Sequence, residues 1–401
     1  MVTTNKFNQT RVADLHLAMT RYVESGDIPG IVTLVARGHE IQVDAIGMKT
    51  VAGKEPMRRD TIFRIASLTK PIAAFATMIL IEEDKLRVDD SVERWLPELA
   101  NRKVLRRIDS KLDDTIPAKR SITVRDLLTS TFGFGSVMAR PGIYPIQHPI
   151  RDGHLYGDGF PHFVLMPGTD EFMMRLGALP LMYQPGERWL YNTSFDVLGV
   201  LVARVSGKSF EAFLRERLFD PLGMKDTAFS VPASKLDRLA SIYQFNRDSK
   251  NLEPFDSEQN SEYGRAPAFE SGAGGLVSTI DDYFTFCRMM LNKGVWGQQR
   301  ILAQASVESM TCDQLMPRQR EGAEIFFGNH SSWGFGLAVN IHPEKPWMVP
   351  GRFGWDGGFG TSGYSDPKND FVGILLTQRL VDSAEPPEVY DDFWAHAYRL
   401  L

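Results

Sequence analysis

The chain has 401 residues, 43% of them hydrophobic and 11% aromatic, which is ample material for a large buried core. Its 45 Lys and Arg against 50 Asp and Glu leave a net charge of −5, which excludes the broad basic face that a nucleic-acid backbone requires. Two cysteines, Cys287 and Cys312, exclude a disulfide framework and a zinc site of paired cysteines.

The opening residues, Met1 to Arg11, contain no apolar core of the kind a secretory leader needs, and no run of about 18 apolar residues occurs anywhere. The expected location is therefore cytoplasmic, with periplasm or secretion the alternative for a chain whose leader has been removed. No membrane contact is expected. Residues 9–25 place Val12, Leu15, Met19, Tyr22 and Val23 near helical spacing, and Gly26 and Pro29-Gly30 stop that helix. Residues 30–38 and 40–47 are two β-branched-rich runs around a Gly-His turn, which predicts a hairpin.

From Ala66 to about Leu86 the chain is almost wholly helix-forming, with Ser67 as the expected N-cap and Pro71 in the first turn, where its missing donor costs nothing. This helix lacks a polar face, so burial on all sides is expected. Residues 130–186 are rich in Gly, Pro, His and aromatics without periodicity, and are expected to wall a site. Helices are predicted over 194–207, 209–224 and 279–294. Strands separated by turns follow over 333–341, 352–366 and 371–379, and a helix over 389–401 closes the chain. No linker or repeat interrupts the pattern. One unit spanning 1–401 is expected, with sheet material over about 1–65 and 320–401 and a mostly helical insertion over about 66–319.

A serine hydroxyl is a poor nucleophile near neutrality and needs a base within hydrogen-bond reach. Positions i and i+3 share one helix face, so Ser67 and Lys70 bring hydroxyl and amine together without long-range folding. The lysine must be neutral to act as base, and the apolar helix that carries it disfavours the charged form. At the helix start, the backbone N–H of Ser67 lacks an intrahelical partner and can face a developing oxyanion.

The segment FRIASLTKPIAAFATMILIEEDKLRVDDSVERWLPEL resembles the nucleophile region of class C β-lactamases, DD-peptidases and their esterase relatives, and the resemblance extends over nearly the whole chain. It implies an α+β fold of the β-lactamase/DD-peptidase kind, an antiparallel sheet flanked by the N- and C-terminal helices with a mostly helical insertion. WLYNTSFDVLGVLVARVSG is similar to the family's second motif, which puts Tyr191 in the place of a tyrosine that shares proton transfer with Lys70. GWDGGFGTSGYSDP is similar to the third, a strand triad occupied here by Trp355-Asp356-Gly357, and Gly358 would then supply a second oxyanion N–H beside that of Ser67. The resemblance implies Thr193, Trp355, Asp356 and Gly357 as substrate-binding residues, with no metal and no cofactor.

Two departures bear on the substrate. Tyr191-Asn192-Thr193 stands where β-lactamases carry Tyr-x-Asn, and Trp355 stands where they carry a lysine that helps hold the lactam carboxylate. Family VIII carboxylesterases are similar at all three motifs, including the tryptophan. A small ester is therefore the expected substrate, with weak β-lactamase activity compatible with such a site. β-Lactamase, D-amino-acid peptidase, amidase or acyltransferase activity by the same mechanism is the alternative, an inactive penicillin-binding-like protein a further one, and a homo-oligomer is left open. No Gly-x-Ser-x-Gly elbow occurs, since Gly360-Thr361-Ser362-Gly363 has the wrong spacing for an α/β-hydrolase. His148, His154 and His162 lie close together in sequence but lack a His-Glu-x-x-His pattern, which argues against a metalloenzyme.

Overall fold

Burial of the first strand shows where the layers lie. In the computed structural model, which describes residues 7–51, 53–155, 165–383 and 385–401, β1 (Gly30–Arg37) is buried along nearly its whole length. Alternate side chains point to opposite faces of a strand. Ile31 and Val35 accordingly enter one apolar core and Val32, Leu34 and Ala36 another. β1 is thus an inner strand covered on both sides. Its hairpin partner β2 (Glu40–Gly47) lies at the edge and is largely part-exposed.

Five strands from the other end of the chain complete the sheet: β3 (Ser331–Trp333), β4 (Ala338–Asn340), β5 (Phe353–Gly357), β6 (Thr361–Asp366) and β7 (Phe371–Thr377). The order is β3-β4-β5-β6-β7-β1-β2, with every neighbour antiparallel. One face is covered by α1 (Gln9–Glu24) and α5 (Glu388–Tyr398), which touch each other. The other packs against α2 (Thr69–Glu82) and α4 (Ile280–Leu291), with α3 (Thr193–Ser206) against α2. This is the expected α+β arrangement of an antiparallel sheet between terminal and inserted helices. No helix among the described residues is long and apolar enough to cross a membrane.

α1 begins where the Asn8 side chain accepts from the N–H groups of Thr10 and Arg11, and buries Leu15, Ala18 and Met19. α2 is buried from Thr69 to Leu80, as its lack of a polar face requires.

Several local expectations are corrected. Ser67 does not cap α2: it lies inside a 3₁₀ turn, Ala66–Leu68, and the helix begins after Leu68 without a side-chain cap. Its hydroxyl is engaged in the site instead. The helix also ends at Glu82, because Asp84 takes a left-handed conformation (φ +54°). The run 333–341 is broken between β3 and β4 by Gly334-Phe335-Gly336. Gly336 has φ +81°, and a Cβ there would lie 2.5 Å from that of Ala74, so close approach to α2 decides the break. The stretch 130–186 contains helices Gln147–Asp152 and Thr169–Ala178, the second with only Gly168 before it as a start signal. Residues 156–164 of that stretch, His162 among them, lie outside the described residues.

Candidate active site

Ser67 sits in the turn where the chain enters α2. The turn is unusual in its backbone: Ala66, a non-glycine residue, has φ +46°, a conformation that costs energy unless its surroundings impose it. The surroundings are present. Ile65 N–H donates to the Leu276 carbonyl, and the Ile65 carbonyl accepts from Thr361 Oγ1 at 3.1 Å. Thr69 Oγ1 donates to the Ala66 carbonyl at 2.7 Å and accepts from Leu276 N–H at 3.2 Å.

Three side chains converge on Ser67. Lys70 Nζ lies 2.8 Å from Ser67 Oγ and donates to the Ala273 carbonyl at 2.6 Å. Tyr191 OH donates to Ser67 Oγ at 2.7 Å, and Trp355 Nε1 donates to Tyr191 OH at 3.0 Å. Lys70 has no solvent exposure, and its Nζ lies 4.4 Å from the centre of the Tyr191 ring. Burial pulls the Lys70 ammonium down to about 7, while the Asp196 carboxylate pushes it back up. Burial also pushes the Tyr191 hydroxyl up to about 12, with its hydrogen bonds to Ser67 and Trp355 acting the other way. Near neutrality the amine can therefore shed its proton while the phenol keeps its own.

Asp196 was not singled out by the sequence patterns. It lies buried in α3, where its Oδ1 accepts from Ser271 Oγ at 2.6 Å and from Ala273 N–H at 3.3 Å. Burial raises its carboxyl well above the usual carboxylate range, and the Lys70 charge opposes that rise. Asp196 thus holds the loop whose Ala273 carbonyl holds Lys70. An acid inside the otherwise apolar SFDVLGVLV run was the available signal.

Opposite the nucleophile runs β5. Trp355 points toward Tyr191 and packs edge-on against Trp333, their ring centres 4.7 Å apart. Asp356 points to the other face, where it accepts from Ser362 Oγ at 2.5 Å and Tyr364 OH at 3.1 Å. Burial raises its carboxyl, with Ser362 and Arg352 pulling down. Gly357 approaches the nucleophile turn so closely that a Cβ would lie 2.6 Å from the Ile65 carbonyl oxygen. Tyr390 OH donates to the carbonyls of Gly357 (3.1 Å) and Thr361 (2.9 Å), so α5 pins the turn that contains Gly358.

These groups line a cavity of about 1160 Å³ that includes Ser67, Tyr191, Trp355, Gly358, Phe326 and Asn192. Gly135–Arg140, from the stretch expected to form a wall, line it too. Thr193 does not reach it: its side chain is buried at the start of α3, and Asn192, at φ +85°, stands on the cavity wall instead. Thr193 is the first residue of α3, and its side chain is on the buried side of the helix. Of the histidines in the long loop, His148 Nδ1 lies 3.4 Å from Arg151 Nη2 and His154 is in a turn.

Residues 16–392 match the family model described as Beta-lactamase. The chain belongs to the Beta-lactamase family. Within it, the chain is 35% identical over 369 residues to protein Rv1367c of Mycobacterium tuberculosis (strain ATCC 25618 / H37Rv), covering 90% of this chain and 88% of that protein. It is 29% identical over 378 residues to esterase EstB of Burkholderia gladioli, covering 89% and 88%. Among solved structures it is similar to EstCE1, described as a hydrolase with promiscuous acyltransferase activity, with TM-score 0.79 and 24% identity over 97% of this chain and 99% of that one. The relatives of this β-lactamase-family chain thus include an esterase.

Proposed function

We propose that this chain is a serine hydrolase that cleaves carboxylic esters through an acyl-enzyme on Ser67. The observation that carries the reading is the position of Ser67 Oγ, within hydrogen-bond distance of both Lys70 Nζ and Tyr191 OH. Neutral Lys70 takes the Ser67 proton as Oγ bonds to the ester carbonyl carbon. The oxyanion rests on the backbone N–H groups of Ser67 and Gly358. As the C–O bond breaks, Tyr191 gives its proton to the departing alkoxide and recovers one from the Lys70 ammonium. Water, deprotonated by the same pair, then attacks the acyl carbon and frees Ser67.

Trp355 favours an ester over a lactam. It brings no cation for a lactam carboxylate, and its Nε1–H is spent on the Tyr191 oxygen, where it stabilises negative charge during proton transfer. Gly357 serves by its small size, and Asp356 by facing the far side of the strand. Acyl transfer to an alcohol is the second reading. It is favoured by the largely aromatic wall formed by Phe326, Tyr191, Trp355 and Phe359, which disfavours water relative to an apolar acceptor.

The test compares turnover of p-nitrophenyl butyrate with that of nitrocefin. Ester turnover should be the faster, and Ser67→Ala should abolish it while leaving the melting temperature unchanged. Ester turnover surviving in that variant, or nitrocefin as the better substrate, would overturn the reading.

A further inference from the structure

At the third motif Trp355 stands where β-lactamases carry a lysine, so that position brings no cation. A cation is present three residues earlier: Arg352 immediately precedes β5, and with Asp356 it lines the compartment on the α5 side. β4 pairs with β5 only at Ala338–Gly354 and Val339–Phe353, so among the described residues the Trp355–Gly357 end of β5 has no strand beside it on that side. The cavity passes along this free edge and continues on the α5 side, where Arg352, Asp356, Tyr364, Trp347 and Trp394 line it.

Arg352 is 3% exposed. Its guanidinium carbon lies 3.9 Å from the centre of the Tyr364 ring and 4.0 Å from that of Trp394. Those π faces hold the charge but do not accept its N–H groups in the plane. One hydrogen bond reaches Tyr398, while Nε and Nη2 have no partner among the described residues. Of the carboxylates on this cavity, Asp356 accepts from Ser362 and Tyr364, Asp391 pairs with Lys345 and Asp382 with Arg379, and Glu385 is exposed to solvent. No carboxylate among the described residues forms an ion pair with Arg352. A buried guanidinium with two orphaned donors at a cavity wall is costly unless something fills the position.

We propose that this compartment is a subsite for an anionic group, namely a carboxylate carried on the acyl half of the ester. It rests on the esterase reading and adds a substrate class to it. The acyl half is assigned because the alcohol half must stay beside Tyr191, on the inner face of β5, to receive its proton. The acyl chain leaves the carbonyl on the other side and runs past Gly358 along the free edge toward Arg352. The aromatic walls of Tyr364 and Trp394 cover the chain's methylenes, and the planar guanidinium takes the terminal carboxylate.

The experiment uses the full chain and compares mono-p-nitrophenyl succinate, glutarate and adipate with the neutral p-nitrophenyl esters of equal acyl length. At one arm length the charged ester should be favoured about tenfold in kcat/KM, mostly through KM, the scale of a charge-assisted hydrogen bond. Arg352→Gln should collapse that ratio toward one, and Arg352→Lys should restore part of it. Asp356→Asn, which removes the nearby negative charge, should raise the ratio, and it carries the test if Arg352→Gln melts early. Equal ratios in wild type and Arg352→Gln at every arm length would overturn the subsite, as would an unchanged ratio in Asp356→Asn. A wild type that turns over the neutral esters with no preference for charge sinks the subsite alone. A wild type that turns over neither ester sinks the esterase reading with it.

Discussion

Lys70 and Asp196 titrate as a buried pair, so the proton that leaves near neutrality belongs to both of them. The sign of the pH dependence follows from the base being the neutral amine: ester kcat/KM should rise with pH through about 7, where Lys70 deprotonates, and hold until Tyr191 approaches its value of about 12. Asp196→Asn removes the negative charge that pushes Lys70 up, so the acidic limb should move to lower pH. A pH–rate profile checks both, and an unmoved limb in Asp196→Asn would show that burial alone sets the lysine. Trp355→Phe keeps the ring packing on Trp333 but loses the Nε1–H donated to Tyr191. A single hydrogen bond of about 1 kcal/mol should cost a few-fold in kcat with KM little changed, measured on one neutral ester.

At the scale of elements, the site depends on how β5 is held between the nucleophile turn and α5. Gly357 faces the Ile65 carbonyl at a distance that no side chain tolerates, and Tyr390 holds the turn from behind. Gly357→Ala should therefore lower kcat at least about a hundredfold by displacing the oxyanion donor, the scale of losing one such contact. Steady-state kinetics with a melting curve separates this from unfolding, because overpacking alone costs about 1–3 kcal/mol. The α2 segment was legible because an all-apolar run of that length has to be buried, and the β1–β2 hairpin because its turn and branched residues are local signals. The break at Gly334–Gly336 was not, since its cause is the nearness of Ala74 in another helix.

On the whole-molecule scale, both chain ends close one face of the sheet. Phe393 and Trp394 of α5 pack in one core with Leu15 and Met19 of α1 and with Ile31, Val35 and Leu375 of the strands. Phe393, with no exposure, anchors this layer, and Phe393→Ala should destabilise the protein by about 3–5 kcal/mol. Denaturant unfolding measures the loss. The acidic limb of the pH profile should stay in place, because Lys70 belongs to the core on the opposite face of the sheet.

By itself the sequence determined what depends on neighbours along the chain: Ser67 and Lys70 on one helical face, the buried character of α2, the strand runs and closing helix, and the three motifs that mark the family. Tertiary structure alone decided the rest. It placed Tyr191 and Trp355 in one chain of hydrogen bonds with Ser67, turned Thr193 inward and Asn192 outward, and set Asp196 behind Lys70 through Ser271 and Ala273. Among the described residues it also left one end of β5 without a strand on the β4 side, so that the cavity reaches Arg352 on the α5 side. The physical reason is range: helical and strand periodicity act over a few residues, whereas desolvation, the state of a buried proton and the free edge of a strand depend on segments brought together from distant parts of the chain.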